Sequence, residues 1–562
     1  MPHKNSNSQK PTGGLSLVQG STDSPLSDLS ISALLDKAAD SWPDRPAIVF
    51  IEQNIRWNWR EFRTDVDRAA RAMAALGICK GDRVGIWSPN RYEWVITQFA
   101  TARLGAILVN INPAYRISEL EYTLNKAGIS VLVTAAAFKT SDYLGMLTEL
   151  GFDGSGRCAR LPQLKHVVRM GSEKTAGMLN WASLLAMDTA SVPADWPALD
   201  CHEAINIQFT SGTTGAPKGA TLTHYNVVNN AMAVASCMRL TETDSLCIPV
   251  PLYHCFGMVL SVLACVSAGA KMVFPGEAFE PAATLDAVQK EGCTALHGVP
   301  TMFIAELDHP DFKTFDLKTL RTGIMAGAPC PIEVMRRVQS DMHMHEVTIA
   351  YGMTETSPVS FQSATDDPLD KRVTTVGRVL GHLEVKVVDE MGRIVPVGEK
   401  GELCTKGYSV MQGYWDDPER TADAVRHGWM HTGDLATIDA DGYCNIVGRV
   451  KDMVIRGGEN VYPREVEEFL FGHPKIAAAQ VFGVPDERYG EELCAWIIPK
   501  PGVTCTEDEI RAHCKGQIAH YKVPRYIRIV QDLPVTVTGK PQKFLMRAAM
   551  MRELGLTVQE TA

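Results

Sequence analysis

The 562-residue chain has no apolar run long enough to cross a bilayer, no CxxC pair among its fourteen cysteines and no excess of positive charge. Each absence excludes something. A bilayer span needs about 20 consecutive apolar residues. The longest apolar stretch, Met258 to Phe274, is interrupted by Ser261, Ser267, Gly269 and Lys271, so it reads as a buried helix followed by a strand. That excludes a transmembrane segment and leaves room only for peripheral membrane contact. The cysteines are scattered from Cys79 to Cys514. Disulfide frameworks belong to small secreted chains, so these read as buried thiols of a reducing, cytoplasmic protein. The net charge of −10 disfavours nucleic acid as a partner, because phosphate backbones need a basic surface. A signal peptide and an Arg-rich transit peptide are also lacking. Residues 1–30 are rich in Ser, Asn, Gln, Pro, Gly and Lys, and are expected to form a disordered leader.

What is present is alternation. Arg83-Val-Gly-Ile-Trp87 reads as a strand, and Tyr92, Val95, Ile96, Phe99 and Ala102 then recur at helical spacing. Ala106–Asn110 is the next strand, Ser118-Glu-Leu-Glu121 a capping box opening a helix, and Ser130–Thr134 a third strand. Such alternation predicts an α/β fold with a largely parallel sheet, whose ligands sit at the loops leaving the strands. After about residue 380, short strands such as Val385–Val388 and Gly401–Cys404 alternate with glycine turns, predicting a small β-rich subdomain. Beyond Arg449, helix Glu465–Phe471, strand Ala479–Phe482, helix Glu507–Ala519 and strand Tyr526–Val530 predict a small α+β unit. The expected division is a leader over 1–30, a large layered α/β domain over 31–449 and a mobile α+β domain over 450–562.

The most informative stretch is Thr210-Ser211-Gly212-Thr213-Thr214-Gly215-Ala216-Pro217-Lys218-Gly219, directly after the strand-like Ile205–Phe209. Its glycines let several N–H groups point into one concavity. Four hydroxyls and the Lys218 ammonium add donors, so the loop is suited to a polyphosphate. It is not a Walker A loop, because Pro217 and Gly219 flank the lysine where that motif needs Gly and Ser or Thr.

At this loop the chain resembles the adenylate-forming superfamily: acyl-CoA synthetases, adenylation domains of peptide synthetases and firefly luciferase. Tyr351-Gly-Met-Thr-Glu-Thr356, His431-Thr-Gly-Asp434, Gly448-Arg-Val-Lys-Asp452 with Gly457-Gly-Glu-Asn460, and Pro534-Val-Thr-Val-Thr-Gly-Lys540 follow in the family's order. The resemblance covers roughly residues 31 to 550, and its style is that of the medium-chain and fatty-acyl branch.

The resemblance implies an AMP-forming acyl-CoA ligase. Its reaction needs ATP, Mg²⁺ and coenzyme A, and joins two anions, a carboxylate and an α-phosphate. It places Mg²⁺ on Glu355, the α-phosphate on Thr354, adenine between Tyr351 and Gly327-Ala328-Pro329, and the ribose on Asp434 and Arg449. It makes Lys540 the catalytic cation, Lys451 the hinge and Gly458 the lining of the pantetheine passage. By the same resemblance His254, in Tyr253-His-Cys-Phe-Gly257, falls beside the carboxylate of the acid. Aromatic or short acids, a carrier-protein acceptor and a catalytically silent nucleotide or acyl sensor are the competing readings. A homo-oligomer is compatible with all of them.

Overall fold

Runs such as Val131-Leu-Val-Thr134, apolar or small at every position, need cover on both faces, which a parallel sheet between helices supplies. The computed structural model has this arrangement. It describes residues 9–155, 158–210, 217–328, 330–457, 459–486, 488–536 and 540–556. The chain divides into two compact units. The first contains Gln19–Glu384 and Thr405–Met430, the second Lys10–Val18, Val385–Cys404 and His431–Ala562.

Among the described residues, the first unit holds an eight-stranded and a nine-stranded sheet. In the eight-stranded sheet, Val131–Thr134, Arg83–Trp87, Ile107–Asn110 and Ala204–Thr210 run parallel. Lys218–Thr223 and Gly413–Tyr414 then add antiparallel at one side. Helix Tyr92–Leu104 is buried from Glu93 to Leu104. That matches its sequence, apolar or small on nearly every face, and it stops at Gly105, whose φ of 70° closes the helix. In the nine-stranded sheet, Ala295–Leu296, Thr322–Ala326 and Glu346–Gly352 are parallel neighbours. Cys247, Val273, Leu296, Phe303, Met325 and Val347 fill the core on one of its faces.

Among the described residues, the second unit holds most of a six-stranded sheet ordered Leu17–Gln19, Leu383–Val388, Gly401–Gly407, Trp429–Ile438 and Val425–Arg426, with Cys444–Arg449 paired to Trp429–Ile438. It also holds a five-stranded sheet built around Ile476–Asp486 and Gly490–Pro499. Helices Pro463–Phe471 and Glu507–Cys514 pack Val466, Leu470, Ile510 and Cys514 into its core.

Three local expectations need correction. Residues 9–30 are not a free leader. Ser16 and Val18 are buried, Ser16 N–H donates to the Val395 carbonyl at 2.8 Å, and Ser27 N–H to Asn229 Oδ1 at 2.7 Å. The three-residue strand Leu17–Gln19 was hidden by the polar average composition. The helix assigned to a Ser118 cap starts at Ile117. Glu119 Oε2 accepts the Arg116 N–H at 3.1 Å, so the cap lies two residues earlier. The helix expected over Glu507–Ala519 ends at Cys514, because Lys515 turns extended and Gly516 takes a φ of 74°. The apolar stretch is a π-helix over Phe256–Leu263, a short α-helix and strand Lys271–Phe274. Among the described residues no helix is long and apolar enough to cross a membrane. The cysteines are free thiols, most of them buried.

Candidate functional site

The glycine-rich loop springs from a hairpin. Strand Ala204–Thr210 pairs antiparallel with Lys218–Thr223, and Thr210 lies opposite Lys218. Ser211, Gly212, Thr213, Thr214, Gly215 and Ala216 lie outside the described residues, so the structure speaks to the loop's base. Gly219 is required there: a Cβ would fall 2.9 Å from Ile207 Cγ2 and 3.4 Å from Trp415 Cβ. Pro217 and Lys218 leave the loop, and the Lys218 ammonium stands 5.0 Å from the centre of the Tyr414 ring.

Gly327 and Tyr351 sit at the carboxyl ends of neighbouring parallel strands, since Ala326 is in register with Ala350. This is where open α/β sheets carry their ligands. Gly327 is exposed with a φ of 90°, Ala328 is half-buried, and Pro329 lies outside the described residues. Tyr351 is half-buried, its ring centre 6.2 Å from that of Phe361. The chain then tightens into a 3-10 turn, Thr354–Thr356, whose side chains are buried.

Glu355 is 6% exposed. Its Oε1 accepts from the Tyr414 hydroxyl at 2.9 Å and from Thr210 Oγ1 at 3.5 Å. Glu355, Thr210, Lys218 and Tyr414 are therefore one cluster at the base of the loop. Burial first, and the Glu355 carboxylate next, hold the Tyr414 phenol above its ordinary pKa, so Tyr414 stays a donor. Sequence reasoning missed Tyr414. It reaches the cluster because Gly413–Tyr414 pairs with Lys218–Thr223, a long-range pairing with no local signal.

His254 is placed by the same strands. Asn110 Nδ2 donates to the Tyr253 carbonyl at 2.9 Å, and the next residue, Cys255, contacts Gln208 Oε1 at 3.2 Å. The Cys255 thiol also lies against Thr354, and burial pushes it up to about 12. His254 itself is half-buried and its Nδ1 accepts the Phe256 N–H at 3.2 Å. The π-helix begins immediately afterwards, a distortion often found at functional sites. Gly257 permits the close approach: a Cβ would lie 2.4 Å from the Pro251 carbonyl oxygen.

In the second unit, Asp434 and Arg449 are cross-strand partners. Arg449 Nε donates to Asp434 Oδ1 at 3.0 Å, with Asp434 buried and the Arg449 side chain 57% exposed. Lys451 lies exposed in the 3-10 turn Val450–Asp452, immediately beyond that strand. Gly458 lies outside the described residues. Lys540 is exposed at a pinched loop. Its N–H donates to Thr536 Oγ1 at 3.0 Å, and its carbonyl accepts the Thr536 N–H at 2.8 Å. Basic residues on either side of it in the sequence are ion-paired: Lys522 with Glu465, Arg525 with Asp486, Arg528 with Glu553, Lys543 with Glu467 and Arg547 with Glu491.

Residues 35–415 match the family model described as AMP-binding enzyme, and residues 465–540 match the AMP-binding enzyme C-terminal domain. A putative acyl-CoA synthetase of Bacillus subtilis, YngI, is 48% identical over 541 residues, covering 94% of this chain and 98% of the relative. The human medium-chain acyl-CoA ligase ACSF2, mitochondrial, is 42% identical over 562 residues, covering 97% of this chain and 91% of the relative. The crystal structure of the anthranilate CoA ligase AuaEII with anthranoyl-AMP superposes with a TM-score of 0.86 at 27% identity, covering 95% of this chain and 99% of that one. ATP-bound MatB from Rhodopseudomonas palustris gives 0.81 at 29% identity, covering 94% and 100%.

Proposed function

The chain belongs to the AMP-binding enzyme family, and from that premise we propose how its residues carry out ATP-dependent acyl-CoA ligation. The carrying observation is the cluster of Glu355, Thr210, Lys218 and Tyr414 at the base of the glycine-rich loop. One carboxylate and two hydroxyls are hard oxygen donors of the kind Mg²⁺ accepts. Glu355 would hold the ion, which supplies neutralisation of phosphate charge. Thr210 to Lys218 cradle the phosphates, and Thr354 donates to the α-phosphate. Adenine lies against Tyr351 and the Gly327-Ala328-Pro329 turn. Asp434 accepts from the ribose hydroxyls and Arg449 steadies it.

His254 orients the acid so that its carboxylate oxygen attacks the α-phosphorus. The acyl adenylate forms and pyrophosphate leaves. Lys540 stabilises the charge developing between the two anions. Residues 450–562 then move as a body about Lys451, and Gly458 leaves the thiol of coenzyme A a path to the acyl carbon. The thiolate attacks that carbon and AMP departs.

For the acid we propose a medium-chain or longer fatty acid, supported by the 42% identity to a medium-chain ligase. An aromatic acid is the second reading, supported by the likeness to an anthranilate ligase. A cytoplasmic location is the corresponding proposal for the cell. The test is ATP–pyrophosphate exchange across acids from acetate to palmitate plus benzoates, followed by coenzyme A-dependent AMP release. Exchange that is strongest with octanoate-sized acids supports the first reading. Strongest exchange with benzoates replaces it by the second, and absence of exchange with every acid overturns the ligase.

A further inference from the structure

We propose that Glu402, Cys404 and His431 form a binding site for a zinc-class divalent cation, separate from the Mg²⁺ position at Glu355. The three residues belong to the second unit. Glu402 and Cys404 are two apart on strand Gly401–Gly407, so they share one face. His431 lies on the adjacent strand, Trp429–Ile438. Their ligand atoms all lie within 4.8 Å of one another.

The geometry favours a metal over a proton relay. In a Cys-His-carboxylate relay the thiol and the carboxylate engage opposite nitrogens of the ring. Here both meet the same one: His431 Nδ1 is 3.5 Å from Cys404 Sγ and 2.8 Å from Glu402 Oε2. One nitrogen cannot pass a proton from one to the other. Three different donor atoms converging on a point are what a cation replaces. Zinc bonds of about 2.3 Å to sulfur and about 2.0–2.1 Å to nitrogen put the two ligands roughly 3.5 Å apart at a tetrahedral angle. That is the separation present. The carboxylate oxygen needs to withdraw by about half an ångström to reach its tetrahedral place.

The set is also oriented and reachable. The other carboxylate oxygen, Glu402 Oε1, accepts the Gly433 N–H at 3.1 Å, which aims Oε2 at the ring as an outer hydrogen bond aims a metal ligand. Cys404 is buried, but the His431 and Glu402 side chains keep 17% and 27% exposure. A cation enters past them and keeps a water as fourth ligand. Binding releases the thiol proton, so uptake strengthens as pH rises.

The full chain, reduced and cleared of metal with a chelator, is titrated with Co²⁺ and read by absorbance. The expected result is one equivalent bound with a thiolate-to-cobalt charge-transfer band, displaced by Zn²⁺. Cys404→Ala loses the band. Glu402→Gln keeps the band and weakens binding by tenfold or more. Absence of the band in the native chain overturns the site, as does an unchanged band in Cys404→Ala, which would assign it to another of the fourteen cysteines. Circular dichroism of the metal-free variants checks folding. Where Cys404→Ala does not fold, Glu402→Gln decides: unchanged affinity overturns the proposal.

Discussion

Glu355 and Glu306 are both buried in the first unit, and in opposite ways. At the base of the glycine-rich loop, Glu355 is 6% exposed and meets two hydroxyls. Under the nine-stranded sheet, Glu306 on helix Pro300–Leu307 is 1% exposed, and its Oε2 has no hydrogen-bond partner among the described residues. Burial alone raises the Glu306 carboxyl well above the usual range, so it stays protonated. A buried carboxyl without partners gives up its charge. The first region is the one proposed to receive a cation. The second tolerates an acid within an apolar core.

Substitutions test that contrast. Glu355→Gln is expected to lower ATP–pyrophosphate exchange by about 10²–10³-fold, with little change in melting temperature. A large loss of stability with retained exchange would make Glu355 a structural acid like Glu306. Lys540→Ala is expected to lower adenylation by about 10²-fold. Thioester formation from supplied acyl adenylate should continue. Equal loss in both half-reactions would remove Lys540 from the adenylation step. Tyr414→Phe deletes one donor to Glu355, worth about 1 kcal/mol or roughly fivefold in kcat/KM. An unchanged value would show that the hydroxyl does not orient the carboxylate.

The smallest effect is expected at Glu306, and it should appear in stability only. The folded pKa is raised, so this group's contribution is fully present below its unfolded value of about 4.3 and is lost as pH rises toward the folded value. Glu306→Gln removes that titration. Its melting temperature should gain on the native chain at pH 8 relative to pH 5, with exchange activity unaltered. An identical pH dependence in both chains would mean that Glu306 is ionised in the fold.

Much of this was legible in one dimension. Strand Arg83–Trp87 and helix Tyr92–Leu104 are where the apolar spacing puts them. The helix expected from Glu507 starts there, capped by Thr506, with Glu509 Oε2 accepting the Thr506 N–H at 3.0 Å. The boundaries that moved did so for local reasons. Glu119 prefers the Arg116 amide, and Gly516 ends a helix that periodicity would have carried to Ala519. The leader was misjudged because composition averages over a strand of three residues. Among the candidate site residues, those carried by contiguous motifs could be named, but their partners could not.

Residue order by itself determined the glycine-rich turn, the strand–helix alternation and the set of motifs that mark the family, because these depend on neighbours along the chain. Tertiary structure alone decided that Tyr414 donates to Glu355, that Cys255 lies against Gln208 and Thr354, and that His431 meets Cys404 and Glu402. Those contacts join residues dozens of positions apart. They depend on strand register, where a shift of one residue turns every side chain to the opposite face.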